Sequence, residues 1–126
     1  MACNARRKGA AGELEAAKAL NDVLPHAQAR RAQQYAGHYT AADLHCEGLP
    51  GLQIEVKRRQ SMNLHKVMSE SLANCTEDQT PVILHRKDNE EWLLTIRLQD
   101  LPVTLYKLLK EGNPRGTSKD VEPRPD

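Results

Sequence analysis

The sequence predicts an α/β or α+β layer structure, a mixed sheet of about five strands with helices covering its faces. Three observations predict it. Leu52, Ile54 and Val56 alternate with Gln53, Glu55 and Lys57, the period-two pattern of a half-buried strand. Leu64, Val67, Met68, Leu72 and Cys75 follow at helical spacing. Pro81-Val82-Ile83-Leu84 is then a short apolar run of the kind a buried strand carries.

The remaining elements fit around these in chain order. Ala10 to Asn21 is rich in Ala, Glu and Leu, good helix-forming material, and Ala10, Leu14, Ala17 and Leu20 trace a narrow apolar stripe. Pro25 ends that helix, and His26 to Tyr35 reads as a strand. Gly37 marks a turn within Tyr35 to Thr40, leading into a strand that contains Asp43 to Cys46. Gly48-Leu49-Pro50-Gly51 is turn chemistry, so this strand and Leu52 to Lys57 form a hairpin. Ser61 or Asn63 can cap the next helix. Asp88-Asn89-Glu90 joins the Pro81–Leu84 strand to a partner over Trp92 to Ile96. A last helix begins at Asp100-Leu101-Pro102, with an expected stripe of Leu101, Leu105, Leu108 and Leu109. One domain over residues 1–110 results. Residues 111–126 are dominated by Pro, Gly, Ser and charge, and are expected to be a disordered tail.

Composition narrows the field. Hydrophobic residues make up 39% and charged residues 28%, a soluble globular balance, and with no Phe the core must be built from Leu, Val, Ile and Ala. Residues 1–70 hold ten Lys and Arg against seven Asp and Glu, whereas residues 71–126 hold eight against ten. The basic excess thus falls in the half with the hairpin, which favours a polyanionic partner. Cys3, Cys46 and Cys75 are odd in number and lack C-x-x-C spacing, which argues against a disulfide framework or a zinc site. A reducing compartment, the cytoplasm, is expected. No apolar run is long enough to span a membrane, and Met1 to Gly9 lacks the apolar segment of a signal peptide.

The chemistry concentrates in the hairpin. If residues 48–50 form its loop, Asp43 falls opposite Glu55 with Cβ atoms roughly 4.5–5.5 Å apart. A two-residue turn at Pro50-Gly51 would put them on opposite faces instead. The longer loop is expected. Facing carboxylates repel, and a divalent cation turns that liability into a site. Lys57, on the face of Glu55, can then orient a water or stabilise charge developing on phosphorus. Acid-x-Lys on a strand is more often a solvated charge pair, so the spacing alone does not decide. His45, two residues from Asp43, is set aside because the neighbouring ligands are oxygens suited to Mg²⁺. His26, His38, His65 and His85 read as surface or hydrogen-bonding residues, and Trp92 as a core or sheet-edge anchor.

Asp43 on one strand, Glu55-Val56-Lys57 on the next and a helical glutamate upstream resemble the PD-(D/E)xK nuclease superfamily. Within it, Arg7-Lys8-Gly9-x-x-x-Glu13 before this hairpin resembles archaeal-type Holliday junction resolvases. Pro50-Gly51-Leu52-x-Ile54-Glu55-x-Lys57-Arg58, Asn63-Leu64, Pro81-Val82-Ile83-x-His85-Arg86, Trp92-Leu93 and Arg97-Leu98 are similar to the small phage- and prophage-encoded nucleases of that group. The likeness spans residues 6–110. The proline that names the superfamily is Ala42 here.

The resemblance implies a restriction-endonuclease-like fold and a metal-dependent DNA endonuclease in the cytoplasm, that of the host if the protein is phage-encoded. Asp43 and Glu55 would bind Mg²⁺, with Mn²⁺ able to substitute, and the Val56 carbonyl would complete the set. Glu13 would reach the metal directly or through water, and Lys57 would be the catalytic lysine. Arg6, Arg7, Lys8, Arg30, Arg31, Arg58 and Arg59 are candidate contacts to phosphates of branched or duplex DNA. A homodimer is implied where the substrate is a junction, as are roles beside other phage proteins in recombination or packaging. Two alternatives remain: a catalytically silent module that holds nucleic acid or a partner, and a nuclease directed at RNA.

Overall fold

The computed structural model describes residues 2–32 and 42–109, residues 2–8 as backbone only. The elements are α1 (Ala2–Val23), β1 (Ala29–Arg31), β2 (Leu44–Cys46), β3 (Leu52–Arg58), α2 (Leu64–Ala73), β4 (Thr80–Arg86), β5 (Leu93–Thr95) and α3 (Leu101–Leu109). Short 3-10 turns at Pro25–Ala27 and Leu98–Asp100 precede β1 and α3. The five strands form one sheet in the order β1-β2-β3-β4-β5. Only β3 and β4 run parallel; the other neighbours are antiparallel. A parallel pair needs a crossover, and α2 supplies it. The expected mixed sheet of an α+β protein is present.

The hairpin register decides whether the two carboxylates meet. Leu44 pairs with Ile54, so one residue further Asp43 lies across from Glu55. The connection is longer than three residues. It takes two successive tight turns, with Leu49 N donating to the Cys46 carbonyl (3.1 Å) and Leu52 N to the Leu49 carbonyl (3.3 Å). Gly48 is required there: an added Cβ would lie 1.6 Å from the His26 carbonyl oxygen, while Gly48 N donates to the Ala27 carbonyl at 3.0 Å.

One face of β3 packs on α1. Ala16, Ala17 and Leu20 meet Leu44, Ile54, Val56, Val82 and Leu84 in the core. Leu14, expected in this stripe, is instead 59% exposed, and Ala16 takes the buried place. Small side chains let the helix lie close: the site of a Cβ on Gly12 is 3.7 Å from the Arg58 side chain. The helix also begins earlier than expected, at Ala2. On the other face Asn63 caps α2, its Oδ1 accepting from Lys66 N at 3.0 Å. Val67 and Ser71 are the buried residues of α2, and the expected Leu72 turns outward. Gln53, buried on β3, donates to the Ser71 carbonyl at 3.4 Å.

Two expected elements differ. Of the strand expected over His26 to Tyr35, Ala29–Arg31 is extended, and it follows a 3-10 turn and Gln28 in the left-handed conformation (φ 50°), while residues 33–35 lie outside the described residues. In α3 the leucine stripe does not enter the core. Thr104 is its buried residue, Leu108 packs partly, and Leu101, Leu105 and Leu109 are exposed. Polar contacts hold the helix instead. Lys107 Nζ donates to the Gly51 carbonyl (3.1 Å), the Asp78 carbonyl (3.1 Å) and Thr80 Oγ1 (3.0 Å). His26 Nε2 donates to the Leu108 carbonyl (2.9 Å) near the C-terminal end of α3. The expected turn at Tyr35–Thr40 and the tail at 111–126 lie outside the described residues.

Candidate metal and phosphate site

Asp43 stands where the β2–β3 ladder opens. Its N–H still donates to the Ile54 carbonyl (3.0 Å), but the next rung is made by its side chain, Oδ2 accepting from Val56 N at 2.8 Å. The carboxylate therefore sits at the strand edge in place of a main-chain carbonyl. N–H and C=O of one strand residue point to the same side, so the Val56 carbonyl faces the same opening. Glu55 projects beside it, with Lys57 Nζ 3.8 Å from Glu55 Oε2. Glu13, from α1, lies against Asp43, and Arg31 Nε donates to Glu13 Oε1 at 2.7 Å. Glu13, Asp43, Glu55 and Lys57 are thus brought together.

The electrostatics follow from crowding. Burial pushes the Asp43 carboxyl above its ordinary value, and the Glu13 charge adds to this against the Val56 N–H and the Lys57 ammonium. Burial likewise raises Glu55, and the Asp43 charge raises it further while Lys57 opposes. Oε1 of Glu55 is buried with no hydrogen-bond partner. Two ionised carboxylates have no donor to share, so a proton or a cation is what the pair requires.

These residues fit Mg²⁺, which is ordinarily held by one or two carboxylates plus phosphate oxygens and water. Asp43, Glu55 and the Val56 carbonyl would hold it, with Glu13, drawn toward Arg31, acting through water. Among the described residues no group of three or more His, Cys, Asp and Glu side chains forms a metal cage. His45 is no part of the set; it is exposed, 3.8 Å from Glu47.

The candidate phosphate contacts divide. Arg31 is engaged by Glu13. Arg58 lies 3.3 Å from Asp88 and 3.9 Å from Glu15, so its charge is largely met within the fold. Arg30 and Arg59 are exposed. The side chains of Arg6, Arg7 and Lys8 lie outside the described residues.

Two side chains beside the site take places that the sequence does not announce. Glu15 accepts from Arg86 Nε (3.0 Å) and NH2 (2.8 Å), and the Arg86 guanidinium lies 5.5 Å from the centre of the Trp92 ring, tying α1 to β4. The i, i+2 spacing of Glu13 and Glu15 was legible, but not which cation each would meet. His85 pairs with Lys57 in the parallel register, which puts it on the site's face of the sheet. Burial lowers its pKa, favouring the neutral ring, and Nε2 shares a 2.8 Å hydrogen bond with Thr95 Oγ1. Taking the β3–α2–β4 crossover as parallel sets His85, the sixth residue of β4, beside Lys57, the sixth residue of β3.

Cys46 and Cys75 are free, and burial pushes the Cys46 thiol up to about 11, away from reactivity. Among the described residues no helix is long and apolar enough to cross a membrane. Comparison with protein-family models, curated proteins and solved structures gave no match.

Proposed function

We propose that the protein is a metal-dependent endonuclease hydrolysing phosphodiester bonds in DNA, duplex or branched. The observation that carries this reading is the Asp43–Glu55 pair, set face to face with a buried, unpartnered oxygen and with Lys57 alongside. A purely structural pair of this kind has no evident use, since it destabilises the chain that holds it.

The chemistry that a bound Mg²⁺ supplies is polarisation of the scissile phosphate and acidification of water. Asp43 and Glu55 provide the negative charge that holds the ion. Val56 contributes its carbonyl, and its N–H fixes the Asp43 carboxylate so that little reorganisation is needed. Glu13 orients water. The Lys57 ammonium, beside Glu55, stabilises charge gathering on the phosphate oxygens in the transition state. Arg30 and Arg59 bind flanking phosphates. By the resemblance noted above, the setting is phage recombination or packaging in a cytoplasm, beside other DNA-processing proteins.

A binding module without catalysis is the second reading, favoured by the lack of a three-sided metal cage among the described residues. Purified protein incubated with Mg²⁺, Mn²⁺ or Ca²⁺ and labelled linear, nicked, flapped and four-way DNA separates the two. Cleavage with Mg²⁺ or Mn²⁺ supports the enzyme. Binding without cleavage under every metal supports the module, and cleavage of RNA alone would redirect the substrate.

A further inference from the structure

We propose that His85 binds the scissile phosphate, its Nδ1–H donating to a phosphate oxygen beside the Lys57 ammonium. This contact rests on the nuclease reading and adds to it a residue that fixes the substrate. The site is short of donors. The Asp43 and Glu55 carboxylates only accept when ionised, and so do phosphate oxygens. Of the cations on the surrounding strands, Arg31 is held by Glu13, and Arg58 by Asp88 and Glu15. Lys57 itself is 3.8 Å from Glu55, so part of its charge is already answered. A phosphate entering there needs a further donor.

The sheet supplies one. Lys57 and His85 are direct partners in the parallel β3–β4 register, so their side chains leave one face from strands roughly 4.8 Å apart. One phosphate group can reach both. The next strand, β5, fixes the imidazole, because its Nε2 shares the 2.8 Å hydrogen bond with Thr95 Oγ1. That hydroxyl has no second partner among the described residues, so its proton goes to Nε2. A neutral ring that accepts at Nε2 carries its own proton on Nδ1. Burial favours the neutral ring. Nδ1 makes no hydrogen bond among the described residues, and the buried atoms left without a partner are Glu55 Oε1, Ser71 Oγ and Thr104 Oγ1. Nδ1 is therefore an open donor that meets solvent on the face of Lys57. A neutral N–H suits the position better than another cation, since it can hold a phosphate oxygen without repelling Lys57 or a metal ion.

The ring and the rate can be read separately. In the metal-free protein, a long-range proton–nitrogen NMR correlation, assigned by the signals lost in His85→Gln, should show the Nδ1–H tautomer. Single-turnover cleavage with Mg²⁺ should fall roughly 10- to 100-fold in His85→Ala, the weight of one donor on a charged oxygen. DNA affinity in Ca²⁺ should fall less. His85→Asn sets an amide N–H close to where Nδ1 stood and should recover part of the rate. His85→Gln keeps only the reach to Thr95 and should not. A merely structural role gives the opposite order, because the Thr95 contact is then what matters. The Nε2–H tautomer, an unchanged rate in His85→Ala, or rescue by Gln but not by Asn would each overturn the proposal and leave the nuclease reading in place. So would equal losses of rate and affinity, which would put His85 on a flanking phosphate. Failure of the wild type to cut any DNA or RNA would instead remove the nuclease reading, and this contact with it.

Discussion

At the scale of single residues, Glu55 Oε1 summarises the tension in the site: a carboxylate oxygen shut away from water with no donor beside it. Asp43→Asn and Glu55→Gln each remove one charge from the cluster. Both should abolish cleavage with Mg²⁺ while raising the melting temperature of the metal-free protein. Near wild-type cutting by either variant would remove these residues from the proposed mechanism. Lys57→Ala tests a different property. If the ammonium acts in the transition state, the single-turnover rate should fall by on the order of 10², with DNA affinity in Ca²⁺ largely kept. Equal proportional losses in rate and affinity would make Lys57 a simple phosphate contact. Arg59 and Arg58 should separate in the same way. Arg59→Ala should lower the log-log salt slope of duplex binding by roughly 0.9. Arg58→Ala should chiefly lower stability, because its partners are Glu15 and Asp88.

At the scale of elements, the β2–β3 turn sets the register on which everything at the site depends. Gly48→Ala would force a methyl into the His26 carbonyl, a backbone group that cannot step aside. A loss of about 1–3 kcal/mol is expected, seen as a fall in melting temperature on the order of 10 °C. A stable Gly48→Ala protein would mean that the turn reaches its register by another path. The elements also show what the sequence could and could not reveal. Alternation along Leu52–Lys57 announced β3 and, with the turn residues, the facing of Asp43 and Glu55, because side-chain direction in a strand is fixed by parity. Helical stripes were less reliable. Periodicity says which residues share a face, not which face meets the sheet: α1 presents Ala16 in preference to Leu14, and α3 buries Thr104 while Leu101, Leu105 and Leu109 stay outside. Contacts such as Arg31 with Glu13, between β1 and α1, or His85 with Thr95, between β4 and β5, depend on how the elements pack and had no local signal.

At the scale of the whole molecule, the carboxylate pair couples stability to both pH and metal. Asp43 and Glu55 have ordinary values of 3.8 and 4.5 and are raised in the folded protein. Between the ordinary and the raised values the native state binds more protons than the unfolded chain, so stability falls as pH rises through that window. Their contribution is complete below the unfolded values and is lost once pH has passed the raised ones. His85 has the opposite sign: its lowered pKa favours the neutral ring, with stability present above 6.5 and lost as pH falls through the folded value. Because other carboxylates titrate in the same range, the quantity to measure is the difference between wild type and Asp43→Asn in melts with a chelator. That difference should be small in acid and should grow in favour of the variant toward neutral pH. Mg²⁺ should reverse it, stabilising the wild type more at neutral than at acid pH, since protons and metal compete for the same oxygens. Asp43→Asn should show little of this metal-induced rise. A rise of the same size in both proteins, or one independent of pH, would place the cation elsewhere and leave the facing carboxylates without their proposed role.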